Sequence, residues 1–239
     1  MTNHNDLEYA RGTHAHKRSL FRLSHRRRFA YAIDLLEALP NSRVLDFGSG
    51  DGYLLELLSA KLPNDNLTAL EPLAYLQEEI KARFVVNPIR IITTTTDLPD
   101  HSFDRIACLE VLEHLQPDDI AKSLRELRRL VTQDGIVVIS VPIEIGPSAL
   151  LKYLAARLLT GSDRRHTIRE VLKVTVGLPV ARDRENEYIP HKGFDFRPLR
   201  DQVRRDFTIE REIFSPVPFL RGTLNAQVLW KLVTGVRNH

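Results

Sequence analysis

Three glycines at alternate positions follow one acidic residue in the stretch RVLDFGSGDG, residues 43–52. Gly48, Gly50 and Gly52 each remove a side chain, so the backbone at these positions can turn sharply or approach a bound molecule closely. Asp46 stands directly ahead of them, at the end of an apolar segment. The spacing predicts a strand, a ligand-binding loop and a helix, in that order.

The glycine loop does not match the two commonest phosphate-binding patterns. A dinucleotide loop has the spacing G-x-G-x-x-G, whereas here the third glycine comes one residue early and Tyr53 fills the position reserved for a small residue. A Walker loop ends in Gly-Lys-Ser or Gly-Lys-Thr, which this loop lacks. Asp46 and Asp51 are poor neighbours for a pyrophosphate but suit a cationic ligand, although a purely structural turn stays open as the alternative.

Strand and helix patterns alternate on both sides of this loop. Apolar residues at helical spacing predict a helix from Arg26 to Pro40, and helices follow near residues 51–63, 73–84 and 117–131. Short apolar strands are predicted at 42–47, 66–72, 88–95, 103–110 and 135–142, and strand patterns return at 207–214 and 226–233 after a helix at 196–206. This alternation predicts a parallel sheet with helices on both faces and a ligand crevice at the carboxyl ends of its strands.

Residues 143–190 interrupt the alternation with helical segments such as SALLKYLAARLLT and RRHTIREVLKVTVG. We therefore expect residues 1–40 to form an N-terminal helical cap and residues 41–239 to form one ligand-binding domain. Within that domain, residues 143–190 are expected to insert as a helical lid between the fifth and sixth strands.

Charge and composition bound the environment of the protein. The 239 residues carry a formal net charge of +3 and a single cysteine, Cys108, which excludes an internal disulfide framework and favours a reducing cytoplasm. No apolar run is long enough to cross a bilayer. Between His14 and Arg28 there are six lysines and arginines and no acidic residue, so this stretch is either a solvated helix face or a site for phosphate, nucleic acid or an anionic membrane.

Three successive motifs together resemble the class I S-adenosylmethionine-dependent methyltransferases. They are VLDFGSGDG, then LTALEP, then TDLPDHSFDRIACLEVLEHL, and they cover residues 41–142 in order. The resemblance is to the methyltransferase-11-like type, which acts on small molecules, glycans or lipids. It implies an α/β, Rossmann-like sheet of seven mostly parallel strands with the last one antiparallel. It also implies S-adenosyl-L-methionine as cofactor and S-adenosyl-L-homocysteine as product.

The same resemblance assigns positions around the cofactor. Glu71 would accept hydrogen bonds from both ribose hydroxyls, and Asp46 would organise the loop and reach the amino-acid end. Asp97, which alone could equally be a turn carboxylate, would face the adenine amino group. The complete set of implied cofactor contacts is Asp46, Gly48, Ser49, Gly50, Gly52, Glu71, Pro72, Asp97, Leu98, Leu109 and Glu110.

The acceptor side is less determined by the sequence. His114, in EVLEHL, and His191, in EYIPHKGF, are candidate catalytic residues, each with a structural role as the alternative. No metal site is predicted, because the histidines lack the spacing of a ligand cluster. The lid helix near residues 145–160 is expected to pack over the crevice, or alternatively to dip into a membrane with help from the basic N-terminal stretch.

These observations favour methyl transfer to a small-molecule, glycan or lipid-linked acceptor in the cytoplasm, with peripheral contact at the inner membrane face as an open alternative. An RNA or protein methyltransferase is the alternative that the arginine cluster suggests, but the Asn/Asp-Pro-Pro-Tyr/Phe signature of many nucleic-acid methylators is missing after the fourth strand. A non-catalytic protein that retains the fold is the third hypothesis. Oligomeric state is left open.

Overall fold

One seven-stranded sheet organises the computed structural model, which describes residues 19–150, 153–154, 167–178, 180, 194–219 and 222–234. The strands are β1 Val44–Phe47, β2 Leu67–Leu70, β3 Arg90–Ile92, β4 Phe103–Leu109, β5 Val131–Pro142, β6 Thr208–Ser215 and β7 Gln227–Val233. The helices with assigned bounds are α1 Ser19–Leu36, α2 Tyr53–Ser59, α3 Ala74–Arg83, α4 Pro117–Leu130, α5 Ile168–Thr175 and α6 Phe196–Asp206.

The strand order is β3-β2-β1-β4-β5-β7-β6. The first five strands pair in parallel, and β7 is antiparallel to both of its neighbours, as predicted. From β1 to β3 each new strand is added on one side of β1, whereas β4 and β5 are added on its other side. The strand order therefore reverses between β1 and β4. In open α/β sheets a crevice forms at such a reversal, outside the carboxyl ends of the strands. The glycine loop after β1 and the segment after β4 therefore share this crevice.

Helices cover both faces of the sheet, which explains why its central strands are apolar on both sides. On one face, α1, α2 and α3 pack against β1, β2 and the middle of β5 through residues such as Leu35, Leu55 and Ile80. On the other face, α4 and α6 bury residues such as Leu124 and Val203. Both faces of the sheet are thus covered, so a ligand can reach it at the ends of its strands.

Several predicted boundaries differ from the structure. The first helix begins at Ser19 and ends at Leu36 rather than at Pro40, because Glu37 adopts a left-handed conformation with φ of 47°. The helix after the glycine loop ends at Ser59, and β3 has only three residues where eight were predicted. By contrast, α6 occupies residues 196–206 as predicted.

The described parts of the predicted 143–190 insertion include two helical regions. Residues 147–150 and 153–154 are helical, and so is α5. The amide of Gly146 donates to the carbonyl of Val174 at 2.6 Å, so the two regions are in contact. Half of the predicted 145–160 helix lies outside the described residues, and the domain boundaries stay predictions. No described helix combines the length and apolar character needed to span a membrane.

Candidate functional site

The glycine loop is fixed to the neighbouring strand by its own backbone. The amides of Gly48 and Ser49 both donate to the carbonyl of Leu70, at 2.9 and 3.0 Å, and the hydroxyl of Ser49 donates to the carbonyl of Asp46 at 2.8 Å. The three glycines have φ angles of 81°, 56° and 77°, all in the left-handed region that side chains disfavour. The loop is therefore held in a fixed shape at the end of β1.

The three glycines differ in what surrounds them. A Cβ built on Gly48 would lie 2.5 Å from a methyl carbon of Val111, and one on Gly52 would lie 3.1 Å from Ile80. A Cβ on Gly50 would meet nothing within 4 Å. Packing thus explains the first and third glycines, whereas at Gly50 the protein leaves open space that a bound molecule can occupy.

Glu71, directly after β2, faces the glycine loop. One carboxylate oxygen, Oε2, accepts from the amide of Gly50 at 2.9 Å, and the other, Oε1, accepts from the amide of Leu73 at 3.0 Å. The side chain is buried, and this burial raises the pKa of Glu71, although the two amide donors oppose the shift. The carboxylate is therefore oriented, with lone pairs left for further donors.

Asp46 is buried beneath the loop among other acids. Burial, followed by the negative charges of Glu71 and Asp51, raises the pKa of Asp46 to about 7. Arg83 lies on the outer side of this group, where its guanidinium donates to the Asp51 carboxylate at 2.9 Å. The acidic group beneath the loop is thus suited to a cationic ligand.

The predicted adenine-side residues lie in the loop between β3 and β4. Asp97 is exposed there, whereas Leu98 is buried and packs on the core. Arg129 of α4 holds this loop, since its guanidinium donates to the carbonyls of Leu98 at 2.7 Å and Thr95 at 3.1 Å. The sequence analysis did not identify Arg129, because basic residues are common in the last turn of a helix and no local pattern distinguishes this one.

The segment after β4 forms the second wall of the crevice. Cys108 is fully buried, and burial raises the pKa of its thiol well above the usual value. Glu110 has a left-handed backbone with φ of 58°. Its carboxylate accepts from Ser140 Oγ at 3.1 Å and from Gln227 Nε2 at 3.4 Å, and thereby connects β4 with β5 and β7. Leu109 is half-buried beside it.

Arg28 of α1 was not singled out by the sequence analysis beyond its place in the basic cluster. Its Nη1 lies 3.5 Å from Oε2 of Glu110, and its guanidinium lies 4.8 Å from the ring centre of Phe29. Phe29 in turn makes an edge contact with Tyr53, which follows the glycine loop, at 5.0 Å between ring centres. Among the described residues, Nε of Arg28 is buried without a hydrogen-bond partner. This cation therefore lies between the glycine loop and the end of β4.

The remaining predicted residues are less informative. His114 is half-buried, and its Nε2 lies 3.8 Å from Oε1 of the buried Glu113. Pro72 is exposed beside Glu71. His191 lies outside the described residues, so the structure does not bring it to the crevice or place it elsewhere. Its catalytic role and that of His114 stay predictions.

Comparison with known proteins agrees with this architecture. Over residues 23–169, more than half of the chain, the sequence matches a family described as a methyltransferase domain. A ubiquinone biosynthesis O-methyltransferase from Xanthomonas campestris pv. campestris is 27% identical over 179 residues, covering 70% of this chain and 72% of that protein. A protein of the same name from Glaesserella parasuis is 26% identical over 201 residues, covering 78% and 80%.

The fold is also found among solved structures. An S-adenosylmethionine-dependent methyltransferase from Clostridium acetobutylicum superposes with a TM-score of 0.60 over 90% of this chain and 92% of that one. Its 11% identity shows a shared fold alone. Taken with the family match, the seven-stranded sheet and the glycine loop at its reversal point, these likenesses show that the chain belongs to the methyltransferase-domain family and is an S-adenosyl-L-methionine-dependent methyltransferase.

Proposed function

We propose that this methyltransferase transfers the methyl group to a hydroxyl oxygen of an apolar small molecule, and that the cofactor lies between the glycine loop and the end of β4. The observation that carries the placement of the cofactor is the open space at Gly50 beside the oriented carboxylate of Glu71. The names of the 27% and 26% identical relatives, both O-methyltransferases, support oxygen as the acceptor atom.

The residues of the crevice fit S-adenosyl-L-methionine part by part. Glu71 accepts from the ribose hydroxyls with the lone pairs that Gly50 and Leu73 leave unused. Asp46 and Asp51 supply negative charge toward the cationic amino-acid end. Pro72, Asp97 and Leu98 border the adenine, and Gly48, Ser49, Gly52, Leu109 and Glu110 shape the cleft around the methionine chain.

Arg28 completes the fit at the carboxylate of the amino-acid end. A carboxylate removed from water requires a cation, and guanidinium pairs with it through two hydrogen bonds. Nε of Arg28 is buried without a described partner, and Nη1 reaches only 3.5 Å from Glu110. Helix α1, which falls within the predicted 1–40 cap, thus contributes a binding residue.

When bound, S-adenosyl-L-methionine supplies a methyl group on a positively charged sulfur, and the carbon–sulfur bond breaks as the carbon–oxygen bond forms, with the electron pair staying on sulfur. The protein contributes alignment, which is worth several kcal/mol and up to roughly 7–11 kcal/mol for well-oriented groups. A hydroxyl acceptor also needs a group that takes its proton, and His114 and His191 are the candidates. We expect the predicted 143–190 lid to exclude water from the crevice.

A labelling experiment tests this function. Purified protein is incubated with tritiated-methyl cofactor and a fractionated lysate, and the label is followed through organic extraction, nuclease and protease treatment. Label in an extractable product that resists both enzymes, and whose mass rises by one CH₂, supports methylation of an apolar small molecule, and resistance of that label to alkali excludes a methyl ester. Label that nuclease or protease removes identifies an RNA or protein acceptor instead. The Gly50→Val variant is the matched blank, and wild-type labelling no higher than this blank contradicts the activity.

We also place this activity in the cytoplasm at the inner membrane face, since Cys108 suits a reducing compartment and an apolar acceptor partitions into lipid. Glycans are the alternative acceptor class that the sequence analysis also gave. Nucleic acid is the less favoured partner. Only the N-terminal arginine cluster suggested it, and the residues of the crevice provide no further support.

A further inference from the structure

Large apolar side chains are exposed on α5 and its C-terminal end and on the loop between β6 and β7. We call the set the apolar rim, and it consists of Ile168, Leu172, Val176, Phe219 and Leu224. Their exposed fractions are 69%, 62%, 71%, 82% and 52%, respectively. Single exposed apolar residues are ordinary, but a group on adjoining segments marks an interaction surface.

Helix α5 carries apolar residues on its outer face as well as on its inner face. Val171 and Val174 on its inner face are buried. Ile168, Leu172 and Val176 follow at intervals of four and lie on the outer face, where a solvated helix carries charged or polar residues. Both faces of α5 are therefore apolar, and only the inner one is covered by the described protein.

The two segments of the rim adjoin each other at the carboxyl edge of the sheet. The contact of Gly146 with Val174 joins α5 to the chain leaving β5. A Cβ on Gly146 would fall 2.2 Å from Cβ of Thr223, so the loop between β6 and β7 lies against the same chain. The amide of Ile143 donates to Ala226 at 2.8 Å. Gln227, directly after this loop, donates to the Glu110 carboxylate at 3.4 Å, so the rim lies on the side of the sheet that carries the crevice.

Exposed cations accompany the rim. Arg169 and Lys173 are exposed on α5, and Arg26 and Arg27 are exposed on α1. Nη1 of Arg27 donates to the carbonyl of Pro216 at 2.8 Å, which fixes that part of α1 beside the β6–β7 loop. Apolar side chains flanked by lysine and arginine fit a surface that is apolar inside and anionic outside.

We propose that this end of the molecule docks onto an anionic lipid bilayer. The rim side chains enter the boundary between headgroups and acyl chains, and the four cations contact lipid phosphates. The mouth of the crevice then opens on the membrane, so an apolar acceptor enters without crossing water. This last consequence rests on the proposed acceptor class, whereas the docking itself does not.

Flotation with lipid vesicles tests the docking on the full chain. The protein is mixed with vesicles of phosphatidylcholine alone, or of phosphatidylcholine with phosphatidylglycerol, at low and high salt. We expect flotation with the anionic vesicles, reduced by salt because the lipid phosphates are screened. Leu172→Glu and Phe219→Glu should each weaken binding roughly tenfold, since each removes one apolar anchor and adds repulsion.

Val86→Glu is the matched control. Val86 is 97% exposed but lies before β3, at the opposite edge of the sheet, and its substitution should leave vesicle binding unchanged. S-Adenosylhomocysteine calorimetry on every variant reports that the fold and cofactor site are intact.

Absence of flotation with both vesicle types overturns the docking, and so does an equal loss in Val86→Glu and Leu172→Glu. A concentration-dependent dimer that Leu172→Glu abolishes, without any vesicle binding, shows that the rim is a contact between two copies instead. Vesicle binding without methyl transfer to an extractable product would support the docking and contradict the proposed acceptor. The two proposals can therefore fail separately.

Discussion

Glu71 reaches back across 21 residues of chain to accept a hydrogen bond from the amide of Gly50 at 2.9 Å. This bond ties the end of β2 to the one glycine of this loop whose Cβ direction is open. The carboxylate is thereby oriented before any ligand arrives, and the open space lies directly beside it. The bond thus joins the two residues that the sequence made most prominent into one preorganised site.

Replacing the carboxylate tests its assigned role. Glu71→Gln keeps the shape of the side chain but turns one acceptor into a donor, so only one ribose hydroxyl can still be bound well. Since a hydrogen bond to a charged group contributes about 1.5–3 kcal/mol, we expect S-adenosylhomocysteine to bind about 10- to 100-fold more weakly by calorimetry. Glu78→Gln, an exposed α3 acid paired with Lys81, is the control. Unchanged affinity in Glu71→Gln would remove Glu71 from the site.

The open space at Gly50 leads to a second prediction. A Cβ at Gly50 meets no protein atom within 4 Å, so Gly50→Val should mainly strain the backbone, at a cost of about 1–2 kcal/mol, and the variant should fold and melt a few degrees lower. It should nevertheless lose cofactor binding, because the side chain fills the space. Gly48→Val should lose more stability, since its Cβ would lie 2.5 Å from Val111. Equal melting temperatures for the two variants, or normal cofactor affinity in Gly50→Val, would contradict this distinction.

Much of the fold is predictable because its elements carry local signals. Helix α6 begins after Asp195, whose side chain caps it, and its buried Phe196, Leu199 and Val203 repeat at helical spacing. The length of α1 is not predictable in this way. Its arginine-rich first half lacks an amphipathic pattern, and its position depends on packing against the sheet.

The residues of the site likewise include some that the local sequence identifies and some that it does not. The glycine loop and Glu71 are recognisable because their chemistry is concentrated at strand ends. Arg28 and Arg129 act on groups distant in the chain, namely Glu110 and the carbonyl of Leu98. No local pattern distinguishes them from surface arginines, so only the folded chain identifies them.

Arg129 should act on cofactor binding through the loop that it holds. Arg129→Gln loses the charged contacts to the carbonyls of Thr95 and Leu98, so this loop is less well ordered for binding. We expect S-adenosylhomocysteine affinity to fall about tenfold, in line with a hydrogen bond to a charged group. Arg125→Gln, on an exposed position of the same helix, should change neither affinity nor stability. A fall in melting temperature with unchanged affinity would assign Arg129 a purely structural role.

Burial of Asp46 predicts how stability depends on pH. Its pKa of about 7 in the folded protein lies above the usual 3.8, so between these values the native state keeps a proton that the unfolded chain has lost. The stability that this contributes is full below pH 4 and declines toward pH 7 by on the order of 1.4 kcal/mol per unit. Asp46→Asn stays neutral throughout and lacks this decline.

Urea unfolding at pH 5 and pH 8 measures the effect. The free energy of unfolding should fall more steeply with pH in the wild type than in Asp46→Asn. A bound cation favours the ionised carboxylate, so the wild type should also bind S-adenosylmethionine more tightly as pH rises to about 7. Parallel stability curves for the two proteins would show that Asp46 titrates at an ordinary pH.

Arg28 can be tested with two ligands that differ only at the end it is proposed to bind. S-Adenosylhomocysteine has the amino-acid carboxylate, whereas methylthioadenosine lacks the whole amino-acid group. Arg28→Gln should weaken binding of the first about 10- to 100-fold and leave the second unchanged, because a charge-assisted pair is lost only where the carboxylate is present. Arg26→Gln, two positions earlier on the same helix and exposed, is the control. An equal loss for both ligands would mean that Arg28 supports the crevice by holding Glu110 and does not contact the cofactor's carboxylate.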